Sequence, residues 1–355
     1  MTILNLIRPE FARLIPYRPG GDELKYRLHA NESPSAPVLA LDLPLNQYPD
    51  YQLEREVQRL LAGYYKVNQE QIALTRGSDD GIDLLMRLFL IAGQDSILQC
   101  PPTFPMYRFY AQLQNAAVID CPLDFKSDFS LDFQKLFSSW REGCKLVMLC
   151  SPNNPTGNCL DIASIAEICE QFTNKAAVVV DEAYIDFSAR ESAISLLPQF
   201  ENLIILRTLS KAYGLASVRV GAVVANQAFI QQIKKIIPPY HLAAPVLKIA
   251  ELALKNPEWL ANSVCHIVEQ RQNLIKALEA FAWIEIVYPS EANFILIKSP
   301  YNAQLQVWLA SHDIAVRQLP NTSELHNMLR ITVGNAMQNT LLLDVLNRFK
   351  PTGVV

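Results

Sequence analysis

Between residues 72 and 224, short apolar runs alternate with stretches of helical spacing, and this alternation restricts the possible folds more than any other feature of the chain. The runs lie at 72–75, 96–99, 116–119, 146–150, 177–180, 203–206 and 221–224. Each is too short for a helix, and most lack the in–out alternation of a half-exposed strand. Continuous apolar strands suit a sheet buried on both faces, which requires parallel strands joined by covering helices. Between them, 79–89 reads as a helix with acids at its start and an apolar stripe of Ile82, Leu85, Leu88 and Phe89, and 104–113 reads as another. The expected fold class is α/β, with a large domain built on a mostly parallel seven-stranded sheet flanked by helices.

From about residue 257 the pattern changes. A long amphipathic helix is expected through 279, then strands near 284–287, 294–297, 315–317 and 329–333, and a final helix after Asn335. That order suits a smaller α+β domain. The polar N-terminal arm, with Pro9, Pro16, Pro19, Gly20 and Gly21, cannot form a core and is expected to pack on this domain or on another subunit. The expected division is 29–256 as the large, ligand-holding domain, with 1–28 as the arm and 257–355 as the small domain.

Half of the 355 residues are apolar, and the net charge of −4 is scattered, so neither a nucleic-acid footprint nor a polybasic membrane patch is present. Small molecules are the expected partners. No apolar run approaches the ~20 residues that span a bilayer. The N-terminus lacks the basic start, apolar stretch and cleavage site of a signal peptide, which points to the cytoplasm. The seven cysteines are odd in number and form no Cys-x-x-Cys, so buried free thiols are expected, with no disulfide framework and no metal.

Two residues carry the chemistry. Lys211, in Arg207-Thr-Leu-Ser-Lys-Ala-Tyr-Gly, stands among small and hydroxyl residues just past an apolar run. Such a lysine is placed to have a depressed pKa and to form an imine. Asp181 closes another run and could hold a protonated pyridine nitrogen. Together they suggest pyridoxal phosphate. The loop 75–81 follows a strand and opens a helix, so the amides of Ser78 and Asp79 could bind a phosphate, although Gly-Ser-Asp also suits a plain N-cap. Ser210 and Arg219 flank the lysine and could meet the same phosphate. Asn154, in Cys-Ser-Pro-Asn-Asn154-Pro-Thr-Gly, lies just past the carboxyl end of a strand, where α/β sheets bind ligands. Tyr184 could donate to the cofactor's phenolate oxygen, and Tyr107 could offer its face to the pyridine ring; both also read as core aromatics.

These strings, together with Leu28-His-Ala-Asn31-Glu-Ser-Pro34, Gln47-Tyr48-Pro-Asp-Tyr51, Ser290-Glu-Ala-Asn293-Phe294 and Leu329-Arg330-Ile-Thr-Val-Gly334, run along nearly the whole chain. They resemble the fold-type I pyridoxal-phosphate aminotransferases of class I/II, in particular the branch acting on histidinol phosphate. The resemblance implies that Lys211 binds the cofactor and then shuttles the proton, and that Asp181 keeps the ring nitrogen protonated. It further implies that Tyr184 and Asn154 meet the ring oxygen, that Tyr107 stacks, and that Ser78, Asp79, Ser210 and Arg219 seat the phosphate. Tyr48 is expected to reach the cofactor of a neighbouring subunit, which requires a homodimer.

For the substrates, the resemblance assigns Arg330, with Asn154 beside it, to the α-carboxylate of glutamate. Arg317 is assigned to the phosphate of histidinol phosphate, and Tyr17, Asn31 and Tyr240 are further substrate contacts. The implied reaction exchanges an amino group between glutamate/2-oxoglutarate and histidinol phosphate/imidazole-acetol phosphate, in histidine biosynthesis. His29, Pro105 and Ser217 depart from the usual pattern without removing a catalytic group. An aromatic amino-acid aminotransferase, a threonine-phosphate decarboxylase and a non-catalytic binding protein on the same fold stay open as alternatives.

Overall fold

The computed structural model describes residues 24–29, 31, 32, 34, 35, 48–320, 322 and 325–352. The larger of its two sheets has the strands β2 (Ile72–Thr75), β3 (Ser96–Gln99), β4 (Ala117–Asp120), β5 (Cys144–Cys150), β6 (Ala177–Asp181), β7 (Leu203–Thr208) and β8 (Gly221–Ala225). Their spatial order is β2-β8-β7-β6-β5-β3-β4. The ladders among β4, β3, β5, β6 and β7 are parallel, while β8 runs antiparallel to both of its neighbours. All seven expected strands are present, with ends displaced by a residue or two. Successive residues of each strand enter opposite cores: Val147, Leu149, Val178 and Val180 join one apolar cluster, while Leu146, Met148, Val179 and Ile204 join the other. Unbroken apolar runs therefore fill two layers at once, which is why they do not alternate with polar residues.

Helices α1 (Tyr51–Tyr65), α2 (Gly77–Phe89), α3 (Met106–Leu113), α4 (Phe133–Ser139), α5 (Ile162–Gln171), α6 (Gln227–Ile233) and α7 (Ala244–Leu254) accompany this sheet. The expected stripe of α2 is met: Ile82 and Leu85 are fully buried, and Leu88 and Phe89 pack against them. The helix expected at 104–113 begins only at Met106, leaving Phe104 in the preceding loop. Helix α8 (Pro257–Glu279) leads to the second sheet, β1 (Tyr26–Leu28), β9 (Ile286–Val287), β10 (Phe294–Lys298), β11 (Ile314–Gln318) and β12 (Met328–Thr332), in the order β1-β11-β12-β10-β9. Helices α9 (Asn302–Ala310) and α10 (Ala336–Arg348) complete it. Strand β1 was not expected; three residues carry no readable period, and pairing with β11 defines it. Among the described residues no helix is long and apolar enough to cross a membrane.

A buried ion cluster joins the strand ends that matter for the site. Arg207 on β7 pairs with Glu182, just past β6, at 3.2 Å and with Asp186 at 2.6 Å. Glu182 also accepts from the Ser192 hydroxyl and the Ala193 amide, Asp186 accepts from the Tyr64 hydroxyl, and the Arg207 guanidinium lies 4.7 Å from the Tyr65 ring centroid. Breaking one member of such a buried set leaves a charge without compensation, at a cost of about 3–5 kcal/mol. The cluster ties the end of β6, which bears Asp181, to the end of β7, which leads into Lys211.

Candidate active site

At the carboxyl ends of β5, β6 and β7 a cavity of about 80 Å³ is lined by Ser78, Asp79, Asn154, Asp181, Tyr184, Ser210, Lys211 and Arg219. Each of these eight was singled out from sequence, although they come from segments spread over 142 positions; Phe104, Cys150, Ala183 and Thr208, which also line the cavity, were not. A second cavity, of about 660 Å³, shares Asp79, Phe104, Asn154, Tyr184 and Lys211 with the first and adds His29, Asn31, Arg317 and Arg330.

One end of the small cavity is built for an anion. Ser78 and Asp79 sit in the first turn of α2, where amides lack intrahelical partners and the helix dipole is positive. Two glycines bring the backbone there. Gly77 has φ +78°, and a Cβ on Gly221 of β8 would lie 2.6 Å from the Gly77 carbonyl carbon and 2.8 Å from the Ser78 nitrogen. Arg219 reaches in from the other side, donating to the Ser210 hydroxyl at 3.2 Å and pairing with Asp79 at 3.2 Å.

At the other end, Asp181 is 2% exposed, and burial pushes its carboxyl up to about 6 against hydrogen bonds from the Tyr107 hydroxyl and the Ala183 amide. Lys211 lies between the two ends. Burial, helped by the positive charge of Arg330, lowers its amine to about 8. Its Nζ is 5.8 Å from the ring centroid of Tyr184. The Tyr184 hydroxyl accepts from Asn31 at 3.0 Å and from Asn154 at 3.4 Å, so its own proton points elsewhere, and burial raises its pKa. A hydroxyl that already accepts twice is disposed to donate into the cavity.

The large cavity carries two arginines. Arg330 on β12 is buried and donates to the Asn154 side-chain oxygen and to the His29 carbonyl, with its guanidinium 5.3 Å from the Phe294 ring centroid. Arg317 on β11 is its direct cross-strand partner. Like charges opposite one another destabilise a sheet, and anions bound in front of them relieve that repulsion. Asn31 is fixed from three sides: its amide donates to the Thr332 hydroxyl, its side-chain oxygen accepts from that hydroxyl, and its carbonyl accepts from Asn293.

Tyr107 departs from its expected position. It is fully buried on α3 below the cavity, with its hydroxyl 2.8 Å from Asp181, and does not line either cavity. Besides Tyr184, the ring that lines both cavities is Phe104, which sequence reasoning missed. A helix beginning at 104 would put Phe104 and Tyr107 on one face; because α3 starts two residues later, Phe104 stays in the loop and Tyr107 turns to the core. That loop is tied to the 151–157 turn by Asn153, which accepts from the Thr103 hydroxyl and donates to the Pro102 carbonyl. Tyr48 and Tyr240 also lie away from their own chain's cavities, exposed and stacked on each other at 4.6 Å. Tyr17 lies outside the described residues.

Comparison with known proteins agrees with this geometry. Residues 28–348 match the family model for aminotransferase class I and II. The chain is 50% identical over 349 residues to histidinol-phosphate aminotransferase 1 of Legionella pneumophila (strain Lens), covering 98% of this chain and 96% of that protein. It is 39% identical to the histidinol-phosphate aminotransferase of Pseudoalteromonas atlantica, covering 93% and 88%. The crystal structure of histidinol-phosphate aminotransferase from Sinorhizobium meliloti in complex with pyridoxal-5'-phosphate has the same fold, with a TM-score of 0.85 at 22% identity over 96% of this chain and 97% of that one. With the match spanning both sheets and every strand that lines the cavities, the chain belongs to the aminotransferase class I and II family.

Proposed function

We propose that the chain is a pyridoxal-phosphate-dependent aminotransferase exchanging an amino group between glutamate/2-oxoglutarate and histidinol phosphate/imidazole-acetol phosphate, in the cytoplasm and in histidine biosynthesis. The observation that carries the substrate choice is the pairing of Arg317 with Arg330 in one cavity beside Lys211. Two arginines suit a site that takes two anionic groups in turn, the α-carboxylate of glutamate and the phosphate of histidinol phosphate. The relatives named above are histidinol-phosphate aminotransferases.

The residues fit pyridoxal phosphate. The close approach of Gly77 and Gly221 leaves amides for a phosphate, with Ser78, Asp79, Ser210 and Arg219 around it. Asp181 offers a buried carboxylate to the ring nitrogen. When bound, the cofactor supplies an electron sink for the charge that develops at the substrate carbon. Lys211 would hold the cofactor through its amine and would take the proton from the substrate Cα; a pKa of about 8 leaves a useful fraction unprotonated near neutrality. Tyr184 would donate a hydrogen bond to the ring oxygen, and Asn154, bonded to both Tyr184 and Arg330, would link that contact to the arginine that would hold the substrate carboxylate. Phe104 takes the stacking place first assigned to Tyr107.

In this reading residues 29–256 hold the cofactor, and residues 257–355 supply Arg317 and Arg330 to the substrate. Tyr48 and Tyr240, exposed on their own chain, face the site of a second copy in a homodimer.

The test mixes cofactor-loaded protein with histidinol phosphate, phenylalanine or threonine phosphate in single turnovers. Conversion of the cofactor from its aldehyde to its amine form should be fastest with histidinol phosphate. Arg317→Ala should weaken histidinol phosphate by roughly ten- to a hundredfold, the loss of one charge-assisted hydrogen bond of ~1.5–3 kcal/mol, and leave glutamate nearly unchanged. Equal weakening of both, or preference for phenylalanine in the parent, rejects the substrate assignment.

A further inference from the structure

The carboxylate of Asp181 has two hydrogen-bond donors of its own before any ligand arrives. The Ala183 amide donates to Oδ1 at 3.1 Å and the Tyr107 hydroxyl to Oδ2 at 2.8 Å. Tyr107 is fully buried at the start of α3, so no water competes for this contact. Its own pKa is raised by burial and by Asp181, so it stays a proton donor. We infer that Tyr107 is a positioning residue for the reaction: by donating to Asp181 it keeps the carboxylate ionised and aimed at the cavity, and so keeps the shared proton on the cofactor's ring nitrogen. This rests on the reading above that Asp181 meets that nitrogen.

The surroundings of Asp181 make a donor necessary. Burial is the largest influence on it and favours the neutral acid; Asp79 on α2 and Glu182 beside it push the same way. Cys150, its register partner on β5, and Tyr184 are ionisable groups beside it without positive charge, while the cations Lys211 and Arg219 line the same cavity without appearing among its main influences. Against these stand the Tyr107 hydroxyl and, more weakly, the Ala183 amide. A hydrogen bond donated to a carboxylate favours its charged form. Without Tyr107 the proton between Asp181 and a ring nitrogen moves toward the carboxylate, and the ring becomes a poorer electron acceptor.

The test is ¹⁵N NMR of protein loaded with ring-labelled pyridoxal phosphate, comparing the parent with Tyr107→Phe. This variant keeps the buried ring and removes only the hydroxyl. The parent signal should be that of a protonated ring nitrogen across neutral pH. In Tyr107→Phe the midpoint for loss of that proton should fall by about one pH unit or more, a tenfold change in proton affinity. Binding of 1-deaza-pyridoxal phosphate, which has no ring nitrogen, should be the same in both proteins and shows that the cradle is intact. An unchanged midpoint in Tyr107→Phe overturns the inference, as does equal weakening of both cofactors with the proton still in place, which marks Tyr107 as structural. An unprotonated nitrogen already in the parent instead removes the Asp181 contact on which the inference depends.

Discussion

Gly221→Ala changes one hydrogen to a methyl group at the point where β8 touches the start of α2. The added carbon would stand 2.6 Å from the Gly77 carbonyl carbon, 2.8 Å from the Arg207 oxygen and 2.8 Å from the Ser78 nitrogen. All three are backbone atoms of ordered elements, so no side chain can swing aside. Gly77 and Ser78 must retreat by about half an ångström or more, and overpacking of this kind costs about 1–3 kcal/mol. The retreating atoms are those expected to hold the phosphate, so the apparent affinity for pyridoxal phosphate should fall by roughly tenfold or more, the worth of one charge-assisted bond. Gly63→Ala is the control, because Gly63 lies exposed in α1 with nothing within 4 Å of an added Cβ. There the same methyl should stabilise by about 0.5–1 kcal/mol through helix propensity and a less free unfolded chain. Thermal melts of both variants without cofactor, with cofactor titrations, measure the two effects. Parent-like melting and cofactor affinity in Gly221→Ala would refute the argument, and so would equal destabilisation by both changes.

Two further outcomes follow from the electrostatics. With its pKa near 8, Lys211 should be about one-tenth free amine at pH 7, against roughly one part in three thousand for an ordinary lysine. The rate of capture of pyridoxal phosphate by the cofactor-free protein should climb with pH and level off above about 8; a midpoint near 10.5 would place the amine in water. Asp181 has a folded pKa of about 6 against 3.8, so its stabilising balance is complete below 3.8 and is lost as pH rises through 6. In cofactor-free protein Asp181→Asn should therefore raise stability at pH 7 by up to ~3 kcal/mol, with the gain vanishing as pH falls from 6 to 4. Urea melts across that range check it, and destabilisation at pH 7 would contradict the sign.

How much of this was legible in the chain depends on how local each signal is. The strands of the large sheet could be read because burial on both faces demands unbroken apolar runs, and Val178, Val179 and Val180 satisfy both cores. Lys211, Asp181, Asn154 and Arg219 could be picked out because each sits at a strand end or turn with restrictive neighbours. Strand β1 could not, since three residues have no period and take their conformation from β11. The cavity-facing ring was read as Tyr107, and Phe104 was given no role, for a related reason: a shift of two residues in where α3 begins decides which ring faces the cavity and which faces Asp181. The amino-acid order alone thus determined the layered architecture and the set of chemical groups, because hydrophobic period and turn chemistry act over a few residues. Only the tertiary structure decided that Arg317 stands opposite Arg330, that Gly221 admits Gly77, and that Tyr107 serves Asp181. Those relations join segments far apart in sequence, and their distances are set by how sheets and helices pack.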